Sequence, residues 1–353
     1  MVEENMLRVL ENSIAASLDF EGMCDEDAAK MVSDLFEKVK TDCKNSSIKS
    51  YRESAAENLA TIREEIKKFE ERNLVRWKPA FDHIEMIWHI AQELGESHGR
   101  DVQQRNGEDN NRTMAALANI FPKSLLVVQE IICLLKGGYP DGALARWRSL
   151  HELSVAAKYI AKHGETAATE YLCSFHFAAR KTAKQVNNYS DHAGLKRFTD
   201  DELSEFDTRC TEAERILGRK IKNDSNGEWP KIVGKNTFFD VEKDIGMDHW
   251  RPWYKWASNY IHSNHRPADK LLGLAESEAP VNLVGASNSG FVDPFQLTAL
   301  TLAQLVDTYL THSINLDRIV HIEVFHELAN EMAKIAIEVE RDSRQEFKKE
   351  NDN

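Results

Sequence analysis

The stretch Asp141-Gly-Ala-Leu-Ala-Arg-Trp-Arg-Ser-Leu-His-Glu-Leu-Ser-Val-Ala-Ala-Lys-Tyr-Ile-Ala-Lys162 decides the fold. At about 100° per residue, Leu144, Trp147, Leu150, Leu153, Val155, Ala157 and Ile160 fall around nearly the whole circumference of a helix. A helix that is apolar all round is buried, and it needs other helices on every side. Arg148 and Glu152 stand four residues apart on it, with Tyr159 on the same side. A buried charge needs a partner. Two readings of that pair stand: an internal structural ion pair, or a pair facing a cleft across which it tunes another group.

Working outward, helical patterns precede and follow this segment. Met114 to Leu135 is a long apolar pattern with Pro122 inside it, closed by Gly137-Gly138. Asp141 is expected to cap the central helix, and a further helix covers about Thr166–Asn188. Thr199-Asp-Asp-Glu202 is a capping box that opens a helix to about Leu217. Asp293-Pro294 supplies an N-cap and a first-turn proline for a long C-terminal helical region that breaks near His312–Asn315. Between these lie two long segments without period, Gly218–Asp248 and Pro267–Val292, both rich in turn residues. No strand alternation is sustained and no repeat is visible. The expected fold is all-α, a multi-helix bundle with an N-terminal helical appendage and two long loops.

The appendage carries Met6, Leu7, Leu10, Ile14 and Leu18, then Met31, Val32, Leu35, Phe36 and Val39, at helical spacing, with Asp25 as cap of the second helix. A third helix is expected over about 50–73. The polar run at 95–112, with Gly95, Gly99 and Gly107, reads as a linker. The domains expected are therefore 1–110, an acidic helical region; 111–345, the main bundle; and 346–353, a polar tail. Because amphipathic N-terminal helices need a surface on which to bury their stripe, a homodimer is expected.

Composition narrows the function classes. The 353 residues are 42% hydrophobic and 29% charged, with a formal net charge of −13. Such a charge repels nucleic acid and anionic lipid unless basic side chains are segregated. They are: residues 1–110 hold 15 basic and 24 acidic groups, and residues 218–270 hold 10 basic and 7 acidic groups. Five widely spaced cysteines without a C-x-x-C pair suit reduced thiols. Acid at Met1-Val2-Glu3-Glu4 stands where a secretory signal carries base, and no stretch is read as long and apolar enough for a bilayer. A cytoplasmic protein without a membrane partner is expected.

Several motifs fail on spacing. Gly234-Lys235-Asn236-Thr237 lacks the earlier glycine of a phosphate loop, since Trp229 stands there. Gly285-Ala-Ser287-Asn-Ser289-Gly290 has the wrong spacing for a nucleophile elbow. His321 and His326 lie on different faces, and His151-Glu152 lacks the second histidine of a metalloprotease helix.

One constellation survives. Trp229, Trp250, Trp253 and Trp256 are followed by Tyr260-Ile261-His262-Ser263-Asn264-His265-Arg266-Pro267. On a helix over 250–266, Trp250, Trp253, Tyr254, Ala257, Tyr260 and Ile261 share one side, and Arg251, Lys255, Ser258 and His262 line the other. The bland reading of that stripe is a solvated basic face near a helix C-terminus. The chemical reading makes His262 a general acid/base, with Lys255 neutralising an anionic oxygen and Ser258 orienting one or the other. A metal site at His262, His265 and Asp269 would need a helix that Pro267 interrupts.

The succession Arg148-Ser149-Leu150-His151-Glu152, Lys158-Tyr159-Ile160, Trp229, and Trp253-Tyr254 through Ala257-Ser258-Asn259-Tyr260-Ile261-His262-Ser263 resembles domain-of-unknown-function family number 5677. That family of mostly bacterial helical proteins carries Arg-Ser-Leu-x-Glu on one helix and Tyr-x-x-x-Ser-x-x-Val-His on another. The resemblance covers about 115–325 and implies nothing about chemistry by itself. More distantly, the family is similar to HEPN-type helical bundles, many of which are ribonucleases of toxin and anti-phage defence systems that work at a dimer interface. Their signature, Arg followed by four to six residues and then His, is met imperfectly: Lys255-x6-His262 has the spacing but the wrong cation. Arg76-x6-His83 and Arg146-x4-His151 occur at the rate chance supplies.

The distant HEPN-type resemblance, taken with the stripe on 250–266, implies a metal-independent ribonuclease-like protein of a defence or stress system, with no cofactor. His262, Lys255, Ser258, Glu152 and Arg148 would form its catalytic group. Arg251, Tyr254, Asn259, Asn264, His265 and Arg266 would bind RNA, aided by base stacking on the aromatic cluster. The rival is a non-catalytic helical module in which the aromatics are core and the long loops recognise a protein or small ligand. Burial of His262 and Glu152 discriminates between them.

Overall fold

A computed structural model describes Arg8 and residues 24–106, 111–221, 228–262, 267, 270–278 and 281–351. These form ten helices: α1 Asp25–Arg76, α2 Lys78–Asn106, α3 Arg112–Lys136, α4 Pro140–Ala193, α5 Asp200–Leu217, α6 Trp229–Ile232, α7 Phe238–Asp244, α8 Arg251–Ser258, α9 Val292–Thr311 and α10 Leu316–Asn351. Short 3-10 turns occupy Asp248–Trp250 and Leu272–Leu274. No strand occurs among the described residues, so the all-α expectation holds.

The chain divides into two compact units, Met1–Glu71 and Arg72–Asn353. The sequence placed its division near residue 110. In the first unit α1 is continuous where two helices were expected, because Asn45-Ser46-Ser47 contains no Gly or Pro to break it. Asp25, Glu26 and Asp27 fill its first turn, where negative charge opposes the helix dipole favourably.

In the second unit α4 packs along α3 and against α9, while α10 packs on α9 and α2. The core between them includes Trp147, Leu117, Ile131, Leu144 and Phe295, all essentially without exposure. Burying such side chains yields roughly 1.5–3 kcal/mol each, the main favourable contribution to the bundle. Trp77 stacks on Phe291 with ring centroids 4.9 Å apart.

The expected linker at 95–112 is largely helix. α2 runs through Gly95 and Gly99, and a Cβ at Gly95 would lie 2.3 Å from the Phe121 ring. That glycine admits the neighbouring helix rather than breaking its own. Residues 107–110 lie outside the described residues.

The central helix begins at Pro140, with Tyr139 as its N-cap, so Asp141 is not the cap. The Asp141 carboxylate instead accepts the backbone N–H groups of Leu272 (2.8 Å) and Gly273 (3.0 Å). It thereby ties down the second long loop. Ser287 and Ser289 donate to the Gly273 carbonyl within the same loop, which gives the serines of the rejected nucleophile elbow a structural use. α4 bends at Gly164, whose φ of 66° is left-handed, so the two expected helices meet there. Past the bend, Glu165 accepts from Thr113 Oγ1 (2.7 Å) and the Thr113 N–H (2.9 Å), closing the start of α3. These bonds hold the Glu165 carboxyl below its ordinary range.

The capping box at Thr199 and Glu202 is present, and the break between α9 and α10 falls at His312–Asn315 as expected. The start of α9 differs, since Phe291 is its N-cap and Asp293 already lies within the first turn. Helix α3 is long and apolar enough to cross a membrane by length and composition, contrary to the sequence reading. Its residues Leu117, Ile120, Val127, Val128, Ile131 and Leu135 are buried in the bundle.

Candidate functional site

Three pieces of chain converge on the first half of α4. The expected loop Gly218–Asp248 contains α6 and α7 and leads into the 3-10 turn Asp248–Trp250. A second capping box, Thr237 with Asp240, starts α7. The 3-10 turn passes directly into α8, with Pro252 in its first turn, where a missing N–H costs nothing. α7 and α8 both pack on α4.

Trp147 anchors the α4 side by donating its indole N–H to the Leu297 carbonyl (3.0 Å) and Thr301 Oγ1 (2.9 Å). One turn later, His151 sits among the rings of Trp147, Phe238, Trp250 and Tyr254, with centroids 5.5–6.4 Å apart. Its Nε2 is 2.9 Å from Glu242 Oε1, and both side chains have 0% exposure. The second oxygen of Glu242 accepts from Arg251 Nη1 at 2.7 Å. A carboxylate this deep requires both partners, because an unpaired buried charge is costly.

A second pair lies beside the first. Glu152 Oε1 accepts from Arg148 Nε at 3.0 Å and from the Tyr254 hydroxyl at 2.7 Å. The Arg148 guanidinium lies over the Tyr254 ring, 4.6 Å from its centroid, and that of Arg251 lies 4.8 Å away. Burial, and then the bond to Glu152, push the Tyr254 phenol well above its ordinary pKa. Tyr254 is therefore a fixed neutral donor. Glu152 keeps 42% of its side chain exposed, and no hydrogen bond engages its Oε2 among the described residues.

The expected stripe on α8 separates. Arg251 turns inward to Glu242, since that buried carboxylate requires a cation. Ser258 Oγ donates to the Tyr254 carbonyl (2.6 Å), four residues back on its own helix. Lys255 and His262 are exposed, and neither makes a side-chain hydrogen bond or ion pair among the described residues. The helix itself ends at Ser258, and the His262 N–H still reaches the Ser258 carbonyl at 3.2 Å. Asn259 is exposed; Asn264, His265 and Arg266 lie outside the described residues, as does Asp269. Trp250, Tyr254 and Ala257 make the buried face, whereas Trp253 and Ile261 are exposed.

The structure thus joins Arg148, Glu152, Tyr254 and Ser258 by hydrogen bonds and sets Arg251 over the Tyr254 ring. His151 and Glu242 complete the site and were missed by sequence reasoning. For His151 a signal existed: a polar side chain on an all-round-apolar helix needs a buried partner. Nothing local marks Glu242 as that partner, because the two are 91 positions apart.

Beyond this group, Asp244 at the end of α7 gathers Lys235 (2.5 Å), His163 (2.7 Å) and Lys162 (3.1 Å). The bonds from Lys235 and then His163 hold its carboxyl far below the ordinary range. A separate groove of about 270 Å³ lies between the far half of α4 and α5, lined by Cys173, His176, Arg209 and Ile216 among others.

Residues 114–279 match the model of a family described as Family of unknown function (DUF5677). No curated protein and no solved structure matches the chain.

Proposed function

The chain carries a DUF5677 domain over residues 114–279, and from that premise we infer that the domain is a binding module for a basic protein segment. Its contact point is the open edge of Glu152. The observation that supports this most is that both arginines of the site are already paired with carboxylates of the site. Arg148 is held by Glu152, and Arg251 by the sealed Glu242. Each guanidinium already gives a donor to a carboxylate, which offsets the charge that a phosphate would need. What remains for a partner is a half-exposed carboxylate whose Oε1 is fixed by Arg148 and Tyr254 and whose Oε2 makes no hydrogen bond among the described residues. A fixed, half-exposed carboxylate suits a guanidinium or ammonium donor. The net charge of −13 steers cationic partners toward the chain over distances set by salt.

The test is fluorescence anisotropy with a labelled oligo-arginine peptide, using wild-type protein and Glu152→Gln at two salt concentrations. The module reading expects the variant to bind several-fold more weakly while the salt dependence persists. Equal affinity for both proteins would overturn it.

A second reading, ribonuclease-like cleavage in a defence or stress system, is favoured by one observation. Lys255 and His262 are exposed, lie seven residues apart and are bound to nothing within the described residues. An imidazole and a cation so placed could serve a ribose 2′-hydroxyl and phosphate. Incubation of the purified protein with total RNA and tRNA decides this reading. Cleavage lost in His262→Ala would support it, and intact RNA would remove it.

A further inference from the structure

In α1 the residues Ile48, Ala55, Ile62 and Phe69 recur every seven positions, and Arg52, Leu59 and Ile66 recur between them at the alternating spacing of three and four. That pattern is the a/d seam of a coiled coil over three heptads. Ile48, Leu59, Ile62 and Ile66 are 39%, 44%, 48% and 51% exposed, so the seam is open to solvent. Leaving four aliphatic side chains in a row uncovered forfeits their transfer free energy.

We propose that residues 48–70 of α1 pair with the same segment of a second copy of this chain as an antiparallel coiled coil. The occupant and its direction follow from charge. A parallel, in-register pair would set Arg52 against Arg52 of the other copy inside the seam, and Glu65 beside Glu70 at its flank. Both contacts are repulsive. The antiparallel pair layers Leu59 on Ile62, Ala55 on Ile66 and Arg52 on Phe69. It therefore exchanges a buried like-charge contact for an Arg–aromatic one. Along one flank it also places Lys49 beside Glu70 of the other copy, twice by symmetry. The seam residues all belong to the first compact unit, and the proposal does not depend on the binding role of Glu152.

Sedimentation velocity of the full chain tests it, with helicity monitored by circular dichroism. The wild type is expected to be dimeric and Leu59→Lys/Ile62→Lys monomeric with unchanged helicity. Lys49→Glu should raise the dissociation constant several-fold, and adding Glu70→Lys should restore it, because only the antiparallel pair brings those positions together. A monomeric wild type, a dimer indifferent to the double lysine variant, or no rescue by the charge exchange would each overturn the proposal.

Discussion

The His151 imidazole and the Glu242 carboxylate meet at 2.9 Å with neither side chain exposed to solvent. Together they join α4 to α7, and Arg251 on the other carboxylate oxygen joins α8 to both. Glu242→Ala leaves His151 and Arg251 without their acceptor, and removing one partner of a buried pair costs about 3–5 kcal/mol. Urea unfolding is expected to show a loss of that size. A loss comparable to that of a surface substitution would mean the pair is not held as described.

Asp141 supports a different part of the molecule. Its carboxylate takes the N–H groups of Leu272 and Gly273, so Asp141→Asn loses at least one of the two bonds, at a cost of about 1–3 kcal/mol for the N–H left unsatisfied. The expected readout is faster amide hydrogen exchange at 270–278 and 287–290, with exchange in α3 and α9 unchanged. Uniform acceleration over the bundle would contradict a local tie.

Asp244 sets a pH dependence. Lys235, His163 and Lys162 stabilise its charged form, so its folded pKa lies below the unfolded one. Such a group contributes stability that is fully present above the ordinary carboxylate range and is lost as pH falls through that range toward the folded pKa. Asp244→Asn is therefore expected to lower thermal stability near neutral pH and to flatten the acid limb of the stability profile. Parallel profiles for the two proteins would exclude the role.

How much of this was legible in the sequence depends on the range of the forces involved. The helical class, the interruption between the helix ending near Lys162 and the one starting near Thr166, the Thr199 capping box and the break before Leu316 all rest on signals within a few residues. α1 was misread because a polar stretch without Gly or Pro remains helical, and Gly95 because its use depends on Phe121, 26 positions away. In the candidate site, Arg148 and Glu152 were visible as a pair on one helix. Their third partner, Tyr254, and the His151–Glu242 pair depend on contacts 91 to 102 positions apart. No local period encodes such contacts.

The bond between Tyr254 and Glu152 is probed by a double-mutant cycle between Glu152→Gln and Tyr254→Phe, read as unfolding free energy. At issue is whether Arg148, Glu152 and Tyr254 form one hydrogen-bonded group. The two substitutions are expected to be coupled by about 0.5–3 kcal/mol, as residues of one hydrogen-bonded group are. Strictly additive effects would contradict it, because the 2.7 Å bond from Tyr254 to Glu152 would then not hold the site together.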